Sequence, residues 1–160
     1  MISLFTEWMS NHTLWDKIRT TGGAYGGRAY IDNVESKITF FSYRDPTPVK
    51  SVNVYLDSLK DLCNKNIPSE EIEKTIVCCY GDAIVPVSPK DRGHNTFDGM
   101  LYANPQSLRL LKVEKLLSIT QKDVVEASER LYEAAKENCY KAVFCDKKDN
   151  TVGKIIHIPL

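Results

Sequence analysis

Arg19 and Tyr25 stand six residues apart, with Gly22, Gly23 and Ala24 between them and Gly26 and Gly27 just beyond, in IRTTGGAYGGRAYI, residues 18–31. A guanidinium offers a fork of N–H donors to carbonyl oxygens, and a phenol donates to an oxygen that gains charge during a reaction. Gly26 and Gly27 weaken a strand and mark the close approach of another backbone. Together they read as a surface that holds an extended peptide and stabilises an oxyanion formed on it. A plainer use of the same residues is a helix end, with Gly22 or Gly23 in the left-handed conformation and Arg19 near the carbonyl end. From these residues alone both readings stay open.

A phosphate site fits less well. Gly22 to Gly27 satisfies G-x-x-x-x-G, yet Arg28 and Ala29 follow where Lys and Ser or Thr would reach phosphate and magnesium. The order of elements is also reversed. A phosphate loop runs from a strand into a helix N-terminus, whereas here a helix ends and a strand begins.

The elements that must position Arg19 and Tyr25 follow from hydrophobic spacing. Ile2, Leu4, Phe5, Trp8, Met9, Leu14, Trp15 and Ile18 predict a helix over 2–20, interrupted near Asn11–Thr13, with Thr13 as a candidate cap for a second segment. Two β-rich runs, 24–32 and 37–44, predict a hairpin; Tyr25, Ala29 and Ile31 share one parity, and Arg28, Tyr30 and Asp32 the other. Ser42-Tyr43-Arg44-Asp45-Pro46 could place Arg44 and Asp45 in a site, but reads more simply as a strand-to-helix corner with a cap.

Beyond the corner, Val52, Tyr55, Leu56, Leu59, Leu62 and Cys63 form an amphipathic stripe over 49–64. A further helix starts at Pro68-Ser69-Glu70-Glu71, capped by Ser69 and turning Ile72, Ile76, Val77 and Tyr80 inward. Residues 81–104, with three glycines and two prolines, read as a long functional or mobile loop. Helices over 105–117 and 120–138 follow. The second has a capping signature in Thr120-Gln121-Lys122-Asp123 and buries Val124, Ala127, Leu131 and Ala135. Two short strands, 141–146 and 152–158, close the chain. Paired helices alternating with paired strands predict an α+β fold, an antiparallel sheet with helices packed on one face.

The chain has 160 residues, enough for one domain with a core, and 21 Lys plus Arg balance 21 Asp plus Glu. No net field draws it to nucleic acid or an anionic membrane. No apolar run reaches the roughly 18 residues of a spanning helix, and the N-terminus lacks the pattern of a signal peptide. The five cysteines are odd in number and predict buried free thiols in a reducing intracellular compartment. Neither they nor His12, His94 and His157 have zinc-ligand spacing. Asp82, Asp91, His94 and Asp98 need no metal if 81–104 is solvated.

R-x-x-G-G-A-Y-G-G (19–27), S-Y-R-D-P (42–46) and G-D-x-x-x-P-x-S-P (81–89) resemble the C-terminal part of the presequence protease and falcilysin branch of the pitrilysin/insulinase zinc metallopeptidases. The resemblance covers about Leu14 to Gly93. It implies a partial mitochondrial processing peptidase-like domain, with residues 1–160 a single, N-terminally truncated C-terminal domain of a larger enzyme. That enzyme would be a zinc endopeptidase of unstructured peptides, built as two halves that close around the substrate. Zinc is implied for the N-terminal half, in H-x-x-E-H with a further glutamate. That motif does not occur here, so no cofactor is expected in this chain.

By the same resemblance Arg19 and Tyr25 bind the substrate carbonyl and stabilise the tetrahedral intermediate, with Gly22, Gly23, Ala24 and Gly26 against the substrate backbone. The implied partners are the zinc-bearing half and extended peptides, and an uncovered sheet edge predicts self-association. The alternative is a non-catalytic α+β module that binds a peptide or a partner without chemistry.

Overall fold

The computed structural model describes residues 2–32, 35–64 and 67–145. Helix α1 (Ile2–Met9) runs straight into a π-helical segment (Ser10–Thr20), which leads to the hairpin β1 (Gly26–Asp32) and β2 (Lys37–Tyr43). Then come α2 (Pro48–Cys63), α3 (Ser69–Ala83), α4 (Pro89–Leu101), α5 (Gln106–Leu117) and α6 (Gln121–Glu137). The strands are antiparallel, with Gly26 opposite Tyr43 and Asp32 opposite Lys37. This is the α+β class that the alternation of elements predicts.

The core lies where α1 and the π-helical segment cross β1. Leu4, Phe5, Trp8, Met9, Leu14 and Ile18 are buried there with Ala24 and Ala29. Ser10 ties the helix to the sheet: its hydroxyl donates to the Thr6 carbonyl (2.7 Å) and accepts from the Ala29 N–H (2.9 Å). Phe40 of β2 stacks on Tyr55 of α2, with ring centroids 5.6 Å apart. Leu59 and Leu62 of α2, Ile72 of α3, Leu116 of α5 and Val124 of α6 complete the core. Helices therefore cover the face of the hairpin that bears Gly27, Ala29 and Phe40, while Tyr30, Phe41 and Tyr43 stay exposed on the other.

Several sequence expectations are corrected. The first helix has no break at 11–13. Instead it widens to i→i+5 bonding, as the Thr21 N–H shows by donating to the Asp16 carbonyl at 2.8 Å. Thr13 therefore caps nothing. Trp15, placed by spacing on the inward stripe, is half exposed. Ser69 is the first residue of α3 rather than its cap, with Pro68 in that place, and Val77 faces outward at 69% exposure.

The loop expected over 81–104 is largely helical. Ser88 caps α4 by accepting from the Asp91 N–H (3.2 Å), and Pro89 sits in the first turn, where its missing N–H costs nothing. His12 and His94 consequently lie on helices. Residues 141–145 form no strand, and the strand expected over 152–158 lies outside the described residues, as does His157. The thiols are also less buried than expected: Cys78, Cys139 and Cys145 are exposed, and Cys63 and Cys79 are half-buried. Burial pushes the Cys79 thiol up to about 11, with Glu7 nearby adding to the rise.

Two polar devices fix the helix entries. At the corner into α2, Asp45 accepts from Ser42 Oγ (2.7 Å), the Thr47 N–H (2.8 Å) and Ser51 Oγ (2.6 Å). Asp45→Ala deletes all three acceptor bonds, and urea denaturation is expected to show a loss of about 1–3 kcal/mol. At α6 the expected cap is present as a full capping box. Thr120 donates to Asp123 from both Oγ1 (2.6 Å) and N–H (2.8 Å).

Those two donors, the hydroxyl first, hold the Asp123 carboxyl below its usual value. A depressed carboxyl stabilises the fold above its unfolded value and loses that contribution as pH falls through its folded one. Asp123→Asn is therefore expected to lower Tm at neutral pH, and the difference from wild type should close in acid, below about pH 4. A Tm gap that stays constant down to pH 2 would remove this carboxylate from the cap.

Candidate peptide-contact site

The helix-to-strand corner is built by glycine. A Cβ on Gly22 would lie 2.5 Å from the Ile18 carbonyl oxygen and 2.9 Å from that of Lys17, so no side chain fits there. Gly23 follows at φ +78°, the left-handed region. The Gly23 and Ala24 N–H groups then reach back to the Arg19 and Ile18 carbonyls, both at 3.1 Å. This is the helix end that the plainer reading of the sequence describes. Ala24 is buried in the core, so its side chain serves packing.

Gly26 and Gly27 are approached by side chains of this chain. A Cβ on Gly26 would meet the Tyr43 ring at 2.5 Å, and one on Gly27 would meet Ile18 Cγ2 at 2.7 Å. Bare backbone here lets the Tyr43 ring lie over β1 and Ile18 pack beneath it. The close approach inferred from glycine alone is thus made, but by an internal partner.

The corner brings Arg19 and Tyr25 to one side of the molecule. The Arg19 guanidinium carbon lies 6.0 Å from the Tyr25 ring centroid, and Tyr25 is 57% exposed. Tyr25 shares parity with buried Ala29, but it precedes the strand proper and so escapes the inward face. Its N–H donates to the Arg44 carbonyl at 3.3 Å. Arg19 also stacks on Trp15, with Cζ 4.0 Å from the ring centroid. The segment presents Leu14 and Ile18 to the core and therefore puts Trp15 and Arg19, one residue further round, together on the outside.

Two members of the cluster, Trp15 and Tyr43, escape sequence reasoning, and a third, Arg44, is raised there only as an alternative to a capped corner. Tyr43 meets Tyr25 edge-on, with centroids 5.3 Å apart at 62°, and the Arg44 guanidinium lies 5.5 Å from the Tyr25 ring. Tyr30 and Phe41 continue the aromatic surface along the same face of the hairpin, 6.0 Å apart. The i, i+4 spacing of Trp15 and Arg19 is a readable signal for a stacked pair on one helical face. Arg44 stands in the S-Y-R-D-P stretch, but its left-handed backbone, at φ 49°, is invisible in sequence.

Chemically, the site offers two guanidinium groups and an exposed phenol set among aromatic rings. Among the described residues, no carboxylate forms an ion pair with either guanidinium. Nor do three or more His, Cys, Asp and Glu side chains gather where a metal ion could be held. The arrangement can grip carbonyl or carboxylate oxygens and donate a hydrogen bond.

Comparison with known sequences places the chain in a family. The PreP C-terminal domain family matches residues 2–148, well beyond the span of the three motifs. Presequence protease 1 (chloroplastic/mitochondrial) of Arabidopsis thaliana is 29% identical over 120 residues, covering 75% of this chain and 11% of the relative. The mitochondrial presequence protease of Candida albicans is 28% identical over 130 residues, 81% of this chain and 12% of the relative. An uncharacterized protein of Borreliella burgdorferi is 30% identical over 117 residues, 73% and 12% respectively. The chain thus spans only about one-eighth of these relatives, and the residues matched by the family include the corner with its arginines and phenol. The chain belongs to the PreP C-terminal domain family.

Proposed function

We propose that this peptidase-associated domain is the substrate-holding and transition-state-stabilising segment of a zinc metalloendopeptidase that degrades unstructured peptides, and that it does not cleave alone. The observation that carries the reading is the exposed pairing of Arg19 with Tyr25 at a glycine-built corner. The described residues do not fit a zinc site, so in this reading the metal belongs to another part of a longer protein.

Within this chain, Arg19 is held on the Trp15 ring and presents its N–H groups to a carbonyl of an extended peptide. The Tyr25 hydroxyl donates to the scissile carbonyl oxygen. That bond strengthens as negative charge builds, so it favours the transition state over the bound substrate. Gly22 and Gly23 turn the chain at the corner, Gly26 lets the Tyr43 ring lie over β1, and Tyr43, Phe41 and Tyr30 offer rings to apolar side chains of the peptide. An odd number of cysteines, five, suits a reducing compartment.

Titrating fluorescent extended peptides into the chain tests the holding role. Arg19→Ala is expected to weaken binding about threefold to tenfold, the worth of a charge-assisted bond at an exposed site. Affinity indifferent to Arg19 would defeat the proposal. The binding-module alternative predicts the same affinity loss but no change in turnover when Tyr25 loses its hydroxyl in the complete protease.

The zinc-bearing part of the longer protein is the proposed partner. Phe97, Met100, Leu101 and Tyr102 of the α4 region and Leu110 and Leu111 of α5 lie exposed, an apolar surface suited to such docking. The chain by itself is therefore expected to self-associate, read as a mass above the monomer by light scattering that grows with concentration. A strictly monomeric profile at high concentration would count against it.

A further inference from the structure

Arg44 has no part in the reading above, yet three observations single it out. Its backbone is held left-handed at φ 49°, a conformation that a bulky residue rarely adopts and that persists where the surroundings over-determine it. Its guanidinium lies 5.5 Å from the Tyr25 ring, as Arg19's lies 6.0 Å from it. The adjacent carboxylate of Asp45 is committed elsewhere, accepting from Ser42, Thr47 and Ser51, and no carboxylate among the described residues pairs with Arg44. An exposed cation thus lies beside the candidate oxyanion donor, with the adjacent Asp45 carboxylate turned into the corner.

We infer that Arg44 is a specificity-determining residue that binds a carboxylate of the extended peptide next to Tyr25. A guanidinium recognises a carboxylate through two parallel N–H donors, and among the described residues no carboxylate pairs with this one. The carboxylate has two sources, an acidic side chain or the free C-terminus of a short peptide. The inference rests on the peptide-holding role proposed for Arg19 and Tyr25.

Four labelled peptides of one sequence test it: Glu or Gln at one position, each with a free or an amidated C-terminus. Titrated into the 160-residue chain, at least one carboxylate form is expected to bind about fivefold tighter than its neutral counterpart, as for an exposed ion pair. The form that gains identifies the source. Arg44→Gln should bring that ratio close to one, Arg44→Lys should restore part of it, and raised salt should compress it in the wild type.

If Arg44 merely props the Tyr25 ring, Arg44→Gln weakens all four peptides alike and the ratio survives, which overturns the inference. A ratio abolished by Arg19→Ala but not by Arg44→Gln overturns it as well. A ratio that depends on Arg44 while affinity ignores Arg19 would uphold the carboxylate site and sink the role given to Arg19. No peptide binding by the wild type would end both.

Discussion

Tyr25→Phe, made in the complete protease that carries this domain, is expected to lower kcat by about 100- to 1,000-fold while KM and folding stay near wild type. The substitution removes one oxygen from a ring that is 57% exposed and packs only edgewise on Tyr43, so it opens no cavity. What disappears is a donor whose bond is strongest when the carbonyl oxygen carries charge. Arg19→Ala should behave differently. It removes a group that holds the peptide both before and during reaction, so KM should rise together with a fall in kcat. Peptide cleavage measured over a range of substrate concentrations separates the two patterns. If Tyr25→Phe raises KM and leaves kcat untouched, the phenol is a binding group and the oxyanion role is lost.

The sequence makes some parts of this site legible and hides others for definite reasons. Gly22 and Gly23 announce a helix end because no side chain fits against the Ile18 carbonyl and because φ is positive at Gly23. The capping box at Thr120 and Asp123 is equally local, a matter of donors three residues apart. Val77 and Trp15 are misjudged because periodicity says which face is apolar and not how much of it the rest of the fold covers. The helix α4 is missed because Gly93 and Gly99 look like breakers, although Ser88, Pro89 and Asp91 supply its start. Within the candidate site, Arg19 and Tyr25 are local to one motif. Arg44 reaches them only through the register of the hairpin, which sets Tyr43 opposite Gly26 and brings the Arg44 carbonyl to the Tyr25 N–H.

The two tryptophans, seven residues apart on one predicted stripe, give the second large effect. Trp8 is 1% exposed, donates from Nε1 to Glu71 at 3.3 Å and stacks on His12 with centroids 4.9 Å apart. Trp8→Ala removes the largest wholly buried side chain at the crossing of α1 with β1 and α3. A loss of about 3–5 kcal/mol is expected, a large share of the roughly 5–15 kcal/mol that holds a domain folded. Urea denaturation should show the midpoint falling with the slope unchanged. Trp15→Ala should cost less than about 1 kcal/mol, since its ring is half exposed and its main partner is the Arg19 guanidinium.

In function the order should reverse. Released from the ring, Arg19 regains rotamers, and peptide affinity is expected to weaken about threefold to fivefold in Trp15→Ala. Chains of Trp8→Ala that remain folded at low temperature should bind peptide much as wild type, because Trp8 faces the core. A Trp15→Ala chain that unfolds readily, or one that binds peptide normally, would mean that the widened helix turns its outer face to packing and leaves Arg19 without a platform.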